Sequence, residues 1–171
     1  FITVKDKTYY IDDEGRPVEG LAVIKNTEYF FDKQKGAQIK GDFAVNGKYY
    51  DGITGALVTN SYVRVGSDWY YVNSKGRRLK GAQIINNVAV YFNPQNGKQL
   101  KGGFDEDGYF YDKDSGAKTD LGKNHYVQIN DAWYYIGSEG KILKGEQTID
   151  GVQVHFDTIT GVQVKGNFIT K

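Results

Sequence analysis

Along this chain, apolar and polar residues alternate over short runs that end at glycine-containing turns. In Val88-Ala89-Val90-Tyr91-Phe92-Asn93 the apolar positions Val88, Val90 and Phe92 fall on one side, and Val152, Val154 and Phe156 repeat the arrangement. A period of two is the mark of a strand with one face covered. No window shows a convincing helical period. Aromatic pairs recur at Tyr9-Tyr10, Phe30-Phe31, Tyr49-Tyr50, Tyr70-Tyr71, Tyr91-Phe92, Phe110-Tyr111 and Tyr134-Tyr135, ending with His155-Phe156. After nearly every pair comes Asp or Asn and then glycine, as in Asp51-Gly52-Ile53-Thr54-Gly55. Short β-rich runs joined by such turns predict hairpins. The expected fold is therefore all-β, with about eight tandem hairpins of roughly 20 residues.

Alternation also predicts faces. The second member of each pair points inward and the first outward, which would put Trp69 and Trp133 inside. Ile39, Leu100 and Val164 are expected inward, and the residues flanking them outward.

A longer period overlies the short one. Gln38-Ile39-Lys40-Gly41, Gln99-Leu100-Lys101-Gly102 and Gln163-Val164-Lys165-Gly166 lie 61 and then 64 residues apart, each followed one residue later by Phe43, Phe104 or Phe168. Between them the units cycle through three kinds: one ending in Gln-x-Lys-Gly, one ending near Ala56–Asn60, and one carrying Trp69-Tyr70-Tyr71 or Trp133-Tyr134-Tyr135. Three hairpins per cycle suggest one turn of a β-solenoid, with each kind of unit on its own side. Residues 1–171 read as a single repeat array, a piece of something longer.

Composition supports a thin aromatic core over one thick aliphatic core: the chain has 14 Tyr, 9 Phe and 2 Trp, and only 39% of its residues are apolar. The 22 basic and 21 acidic residues are mixed along the whole length, so no basic stripe exists for nucleic acid or an anionic membrane. No apolar run approaches membrane-spanning length. The absence of cysteine excludes a disulfide framework. His125 and His155 have no nucleophile-acid arrangement around them in sequence, and His125 aligns with Ser61, a surface position. Acidic residues concentrate in turns, where they stabilise turn geometry. Asp105, Asp107, Asp112 and Asp114 form a local acidic patch without the spacing of a calcium loop. No catalytic residue, metal or cofactor is expected.

The candidate chemistry lies in the Gln-x-Lys stretches. Gln38/Lys40, Gln99/Lys101 and Gln163/Lys165, side by side on an outer face, would offer donors and an acceptor to hydroxyl groups. A sugar also needs an aromatic face for its C–H surface. Tyr9, Tyr70 and Tyr134 each stand 29 residues before the glutamine and are the expected stacking rings. Tyr49 and Tyr91 are secondary candidates.

Units such as Gly145–Gly151, followed by His155-Phe156-Asp157 and Gly161–Gly166, resemble the glucan-binding repeats of lactic-acid-bacterial glucansucrases. Those belong to the wider cell-wall-binding and choline-binding repeat superfamily, which includes clostridial toxin repeats. The resemblance covers essentially the whole chain. It implies shallow pockets for α-glucan or isomaltooligosaccharide chains, with a stacking tyrosine beside polar residues of the Gln-x-Lys kind. It also implies an attached sucrose-using transglucosylase and a secreted or cell-wall-associated bacterial protein, with the array as a monomeric module. His155 replaces the usual aromatic in the third Gln-x-Lys unit, and Phe110 replaces tyrosine in a middle one. A choline site needs a cage of aromatic faces, usually tryptophan; the residue after the unit-opening glycine is Leu21, Asp42, Ala82, Gly103 or Glu146, never tryptophan. The competing expectation is a cell-surface or receptor glycan-binding, or choline-binding-type, repeat of an adhesin or toxin.

Overall fold

The computed structural model describes residues 1–166; the expected inward Phe168 lies outside them. Among the described residues there is no helix, and the strands form eight small antiparallel sheets, one for each expected hairpin. Five hairpins have five-residue strands: Gly20–Ile24 with Thr27–Phe31, Ser61–Val65 with Asp68–Val72, Gly81–Ile85 with Val88–Phe92, His125–Ile129 with Ala132–Ile136, and Gly145–Ile149 with Val152–Phe156. The others are shorter: Ile2–Val4 with Lys7–Tyr9, Asp42–Phe43 with Tyr49–Tyr50, and Gly103–Phe104 with Phe110–Tyr111 and Lys118–Thr119.

The tight turns explain why these segments pair. Lys25-Asn26, Asn86-Asn87 and Asn130-Asp131 hold φ at 48° and 63°, 50° and 64°, and 49° and 64°. Two successive left-handed residues make the turn whose twist matches that of a hairpin, and Asn and Asp tolerate this conformation best after glycine.

The deepest part of the core includes one residue just before each turn. Phe31, Tyr50, Val72, Phe92, Tyr111, Ile136 and Phe156 are all fully or almost fully buried. Next in sequence stand Asp32, Asp51, Asn73, Asn93, Asp112, Gly137 and Asp157. The inward placement of the second aromatic thus holds for Phe31, Tyr50, Phe92, Tyr111 and Phe156. It fails in the Trp-Tyr-Tyr units. There an extra apolar residue, Val72 or Ile136, takes the inward place and moves the parity by one. Tyr70 is consequently buried (6% exposed), while Trp69 is 38% exposed, the reverse of the expectation. Trp133 is half-buried.

Every one of these turns except that at Gly137 is capped by the side chain of the residue that opens it. Asp32 Oδ1 accepts from the Gln34 and Lys35 amides at 3.0 and 2.7 Å, and Asn93 Oδ1 accepts from Gln95 and Asn96 at 2.9 and 3.0 Å. Asp51, Asp112 and Asp157 repeat this geometry and also accept from the hydroxyls of Thr54, Ser115 and Thr160.

A second set of bonds joins successive hairpins. The tail that follows each hairpin donates to, or accepts from, the hairpin before it. In one compact unit, formed by Phe1–Gln83 and Phe92–Gln99, Gln38 N donates to Thr8 O (2.7 Å), Leu57 N to Glu28 O (2.9 Å), Tyr49 N to Gly76 O (3.1 Å) and Gln99 N to Trp69 O (2.8 Å). In the other, formed by Ile84–Tyr91 and the described residues from Leu100 onward, Ile142 N donates to Gly108 O (3.0 Å) and Gln163 N to Trp133 O (2.7 Å).

The caps make the fold acid-sensitive. Backbone amides of Thr54, Ser115 and Thr160 hold the carboxyls of Asp51, Asp112 and Asp157 below their ordinary value, as the Arg16 amide does for Asp12. A lowered folded pKa contributes stability that is complete above the unfolded value of about 4 and is lost as pH falls through the folded one. Thermal melts should therefore be flat down to about pH 5 and fall below it. Asp51→Asn, Asp112→Asn and Asp157→Asn together, copying the amide already present at Asn93, should flatten that fall.

Candidate functional site

The Gln-x-Lys stretches are tails of this stitching kind. Gln38 bridges Phe31 of its own hairpin, as Gln99 bridges Phe92 and Gln163 bridges Phe156. The next amide also returns to the parent hairpin: Ile39 N donates to Phe30 O and Leu100 N to Tyr91 O at 2.8 Å, and Val164 N to His155 O at 2.9 Å. The glutamine amides go instead to the preceding hairpin, at Thr8, Trp69 and Trp133. Each tail is therefore bonded on both sides.

This arrangement overturns the outward placement of the glutamines. Gln38 is only 8% exposed. Its Nε2 donates to Thr54 O at 3.1 Å, and a Cβ at Gly55 would collide with the amide, so the Asp51–Gly55 turn closes over it. Gln99 and Gln163 are half-buried. Two amide atoms at corresponding places have no partner: Gln38 Oε1 and Gln99 Nε2 are buried without a hydrogen bond. The lysines are more accessible. Lys40 and Lys165 are exposed; Lys101 is half-buried, with Nζ donating to Asp114 O at 2.8 Å. Lys165 Nζ lies 5.6 Å from the Trp133 ring. Ile39 packs inward against Phe30, Ala44 and Tyr50, as expected, whereas Val164 is 41% exposed, against expectation.

The backbone brings the expected stacking tyrosines next to the glutamines, with different degrees of burial. In each cycle the glutamine amide bonds the residue just before the tyrosine: Thr8 before Tyr9, Trp69 before Tyr70, Trp133 before Tyr134. Tyr70 is packed into a core cluster with Tyr49, Val63 and Val72, its ring edge-on to Phe43 at 5.2 Å, with the Arg78 guanidinium 3.7 Å over Phe43. Tyr134 is half-buried, 4.9 Å from Phe104, and Tyr9 is also half-buried. Of the secondary candidates, Tyr49 is buried and Tyr91 half-buried, 5.8 Å from Tyr111; burial pushes both phenols above their ordinary pKa. Tyr70 and Tyr49 are thus unavailable as sugar platforms.

The rings that do face out were not among the expected ones. Trp69, Tyr62 and Tyr126 are exposed. Opposite Trp69 stands Arg64, and opposite Tyr62 stands Tyr71; in the later cycle Gln128 faces Trp133 and Tyr126 faces Tyr135. The aromatic pairs meet edge to face at 5.0 and 4.9 Å. Counting strand parity from the capping residue, rather than from the aromatic pair, would have found them.

Other charged groups serve the scaffold. Asp105 is buried, accepting from the Tyr111 hydroxyl at 3.0 Å and the Tyr109 amide at 2.9 Å, and Asp112 caps its turn. Among the described residues no group of three or more acidic or histidine side chains is placed to hold a metal. His125 is exposed, its Nδ1 3.1 Å from Lys123 O.

Comparison with known proteins places this geometry. The choline-binding repeat matches residues 18–62 and 79–120, and the putative cell wall binding repeat matches residues 1–16, 60–77 and 124–142. Glucosyltransferase-S of Streptococcus mutans is 36% identical over 170 residues, covering 96% of this chain. Glucosyltransferase-S of Streptococcus downei is 34% identical and also covers 96%. The chain spans only 11% and 13% of the length of these two relatives. Among solved structures, the modular autolysin LytC of Streptococcus pneumoniae shares the fold, with a TM-score of 0.57 and 19% identity over 90% of this chain and 36% of that one.

The burial difference between adjacent aromatics is open to measurement. Tyr70→Ala should lower stability in urea by about 3–5 kcal/mol, the range for emptying a large aromatic site in a core. Trp69→Ala should cost less than about 1 kcal/mol, because its ring keeps much of its exposure when folded.

Proposed function

Because this chain belongs to the choline-binding repeat family, we propose that it is the non-catalytic glucan-binding module of a longer, secreted or cell-wall-associated bacterial protein. Its partner is an α-glucan of the isomaltooligosaccharide kind, and the attached enzyme is a sucrose-dependent transglucosylase. The observation that carries this reading is the match to glucosyltransferase-S over 96% of the chain in two species. Proteins of that name handle glucosyl units, and a non-catalytic array along such a protein would hold their polymer.

The geometry favours a hydroxylated ligand over a quaternary ammonium. A cation cage requires several aromatic faces around one point. In the described residues Trp69 and Trp133 stand one per hairpin, opposite Arg64 and Gln128, and so alternate with polar side chains. The Gln-x-Lys tails supply further polar groups. Lys40, Lys101 and Lys165 provide the reachable donors, while Gln38, Gln99 and Gln163 lie beneath them and fix the tail. The unpartnered atoms of Gln38 and Gln99 are acceptor and donor capacity that the chain itself does not use. With Tyr70 and Tyr49 buried, the stacking role passes to half-exposed rings.

The links from each tail to the preceding hairpin support a β-solenoid with three hairpins per turn, the 1–171 array acting as a monomeric module. Individual sites on such an array are weak, and several of them raise retention through effective concentration.

Affinity electrophoresis of the chain in dextran-containing gels tests the proposal. Retardation that is unchanged between low and high salt is expected, because ring stacking and hydroxyl hydrogen bonds carry the binding. Absence of retardation by dextran would overturn the reading, and retention on a choline resin in its place would favour the namesake ligand of the family. Lys40→Ala with Lys101→Ala should weaken retardation without lowering the melting temperature.

A further inference from the structure

We propose that a cleft between the seventh and eighth hairpins, lined by none of the Gln-x-Lys residues, holds one pyranose ring of the glucan chain. The inference rests on the glucan-binding reading and adds a site of a different build. The cleft has a volume of about 380 Å³, at the lower end of the roughly 300–1,000 Å³ of small-molecule sites. Tyr135, Leu143 and Ile149 form its half-buried apolar part, while the exposed Asn124, Thr148 and Asp150 supply polar groups. One aromatic ring beside aliphatic carbon, with hydroxyl, amide and carboxylate groups around it, matches a ring that has C–H faces and an equator of hydroxyls.

Two departures from the chain's own pattern converge here. The first is Gly137. In the other seven hairpins the residue opening the turn is Asp or Asn: Asp12, Asp32, Asp51, Asn73, Asn93, Asp112 and Asp157. At Gly137 the backbone turn is kept, with Gly137 N donating to Lys141 O at 2.8 Å and Gly140 N to Gly137 O at 3.0 Å, but the side-chain cap is gone. A Cβ there would stand 2.8 Å from Leu143 Cδ2, so Leu143 lies against the bare backbone. Leu143 thus occupies space next to the backbone where a capping side chain would begin.

The second departure is polarity. Thr148 and Asp150 stand 64 residues after Ile84 and Asn86, their counterparts one cycle earlier. Among the described residues, the Asn124, Thr148 and Asp150 side chains make no hydrogen bond within the chain. Asn124 and Asp150 are also held at φ 55° and 51°, so their side chains leave from fixed points of the backbone. A ligand would meet groups already in place, which reduces the ordering cost of binding.

Amide chemical-shift mapping of the chain with isomaltotriose as probe tests the site. Shifts are expected at Ser138, Thr148 and Asp150. Gly137→Asn restores the cap used by the other hairpins, at a φ that any residue adopts. Its Cβ has to displace Leu143 from its place against the backbone, and it should abolish those shifts. Thr148→Ile, an exposed substitution that restores the residue of the earlier cycle, should abolish them too, so the test stands even if Gly137→Asn disturbs folding. Isomaltotriose shifts at the Gln-x-Lys tails with none at Thr148 and Asp150 would overturn this site and leave the module's function standing. No shift anywhere would overturn both. Choline chloride moving the same three amides when isomaltotriose does not would overturn the ligand class.

Discussion

The structure depends on the hydrogen bonds by which each tail fastens its hairpin to the one before. A two-stranded hairpin has one covered face at most and is marginal alone in water. Here the bond from Gln38 to Thr8, or from Gln163 to Trp133, gives the buried tail amide a partner and brings the next hairpin's aromatic residue against the last. The deepest part of the core is then a row of single side chains, Phe31, Tyr50 and Val72 in one compact unit and Tyr111, Ile136 and Phe156 in the other. Neighbour-to-neighbour attachment of this kind makes stability roughly a sum over adjacent pairs. It also explains a tyrosine-rich composition, because large rings cover much area per residue where a thick aliphatic core cannot form.

A buried tyrosine brings a hydroxyl that must be satisfied. The chain does this in two ways at corresponding places. Tyr50 donates to Glu28 Oε1 at 2.8 Å and accepts from Asn46 Nδ2 at 2.9 Å, with Lys48 Nζ 2.8 Å from Glu28 Oε2. Tyr111 donates to Asp105 Oδ2 at 3.0 Å. Burial, ahead of the carboxylate contact, pushes both phenols well above their ordinary pKa. Several charged residues in what reads as an acidic or mixed surface are therefore anchors for core hydroxyls.

The number of hairpins, their turns and the residue before each turn were legible because each obeys a local rule: period-two alternation at Val90 and Phe92, and turn chemistry at Asp51 and Asn93. Alternation failed at Val88 and Val152, which are exposed, and at Phe30 and Tyr49, which are buried. Trp69 and Tyr70 were misplaced because parity was counted from the aromatic pair, whereas the chain fixes it at the residue before the turn, Val72. Gln38 was misplaced for a different reason. Alternation assigns an outer face only to a segment with one partner. A tail bonded to two hairpins is covered on both sides, and nothing in its own sequence says so. The expected pairing of Gln38 with Tyr9, and of Gln99 with Tyr70, did reflect spatial proximity, carried by the backbone of the residue before each tyrosine.

The same constraint indicates where function can reside. Residues that every copy needs for stitching and capping are scaffold, however regular they are. Gln38 and the buried Tyr70 and Tyr49 fall in that class, while the lysines beside the glutamines do not. Positions free to specialise are those where the scaffold rule is broken without loss of the fold. Gly137 gives up a cap that seven other turns keep, and Thr148 replaces an isoleucine of the preceding cycle. The first removes a side-chain cap and the second puts a hydroxyl where the earlier cycle has an exposed aliphatic side chain, both at the lining of the same cleft. In a repeat array the internal copies serve as controls for one another, so a departure that breaks the local rule and changes the lining of a cleft is a stronger pointer to ligand contact than the most faithfully repeated motif.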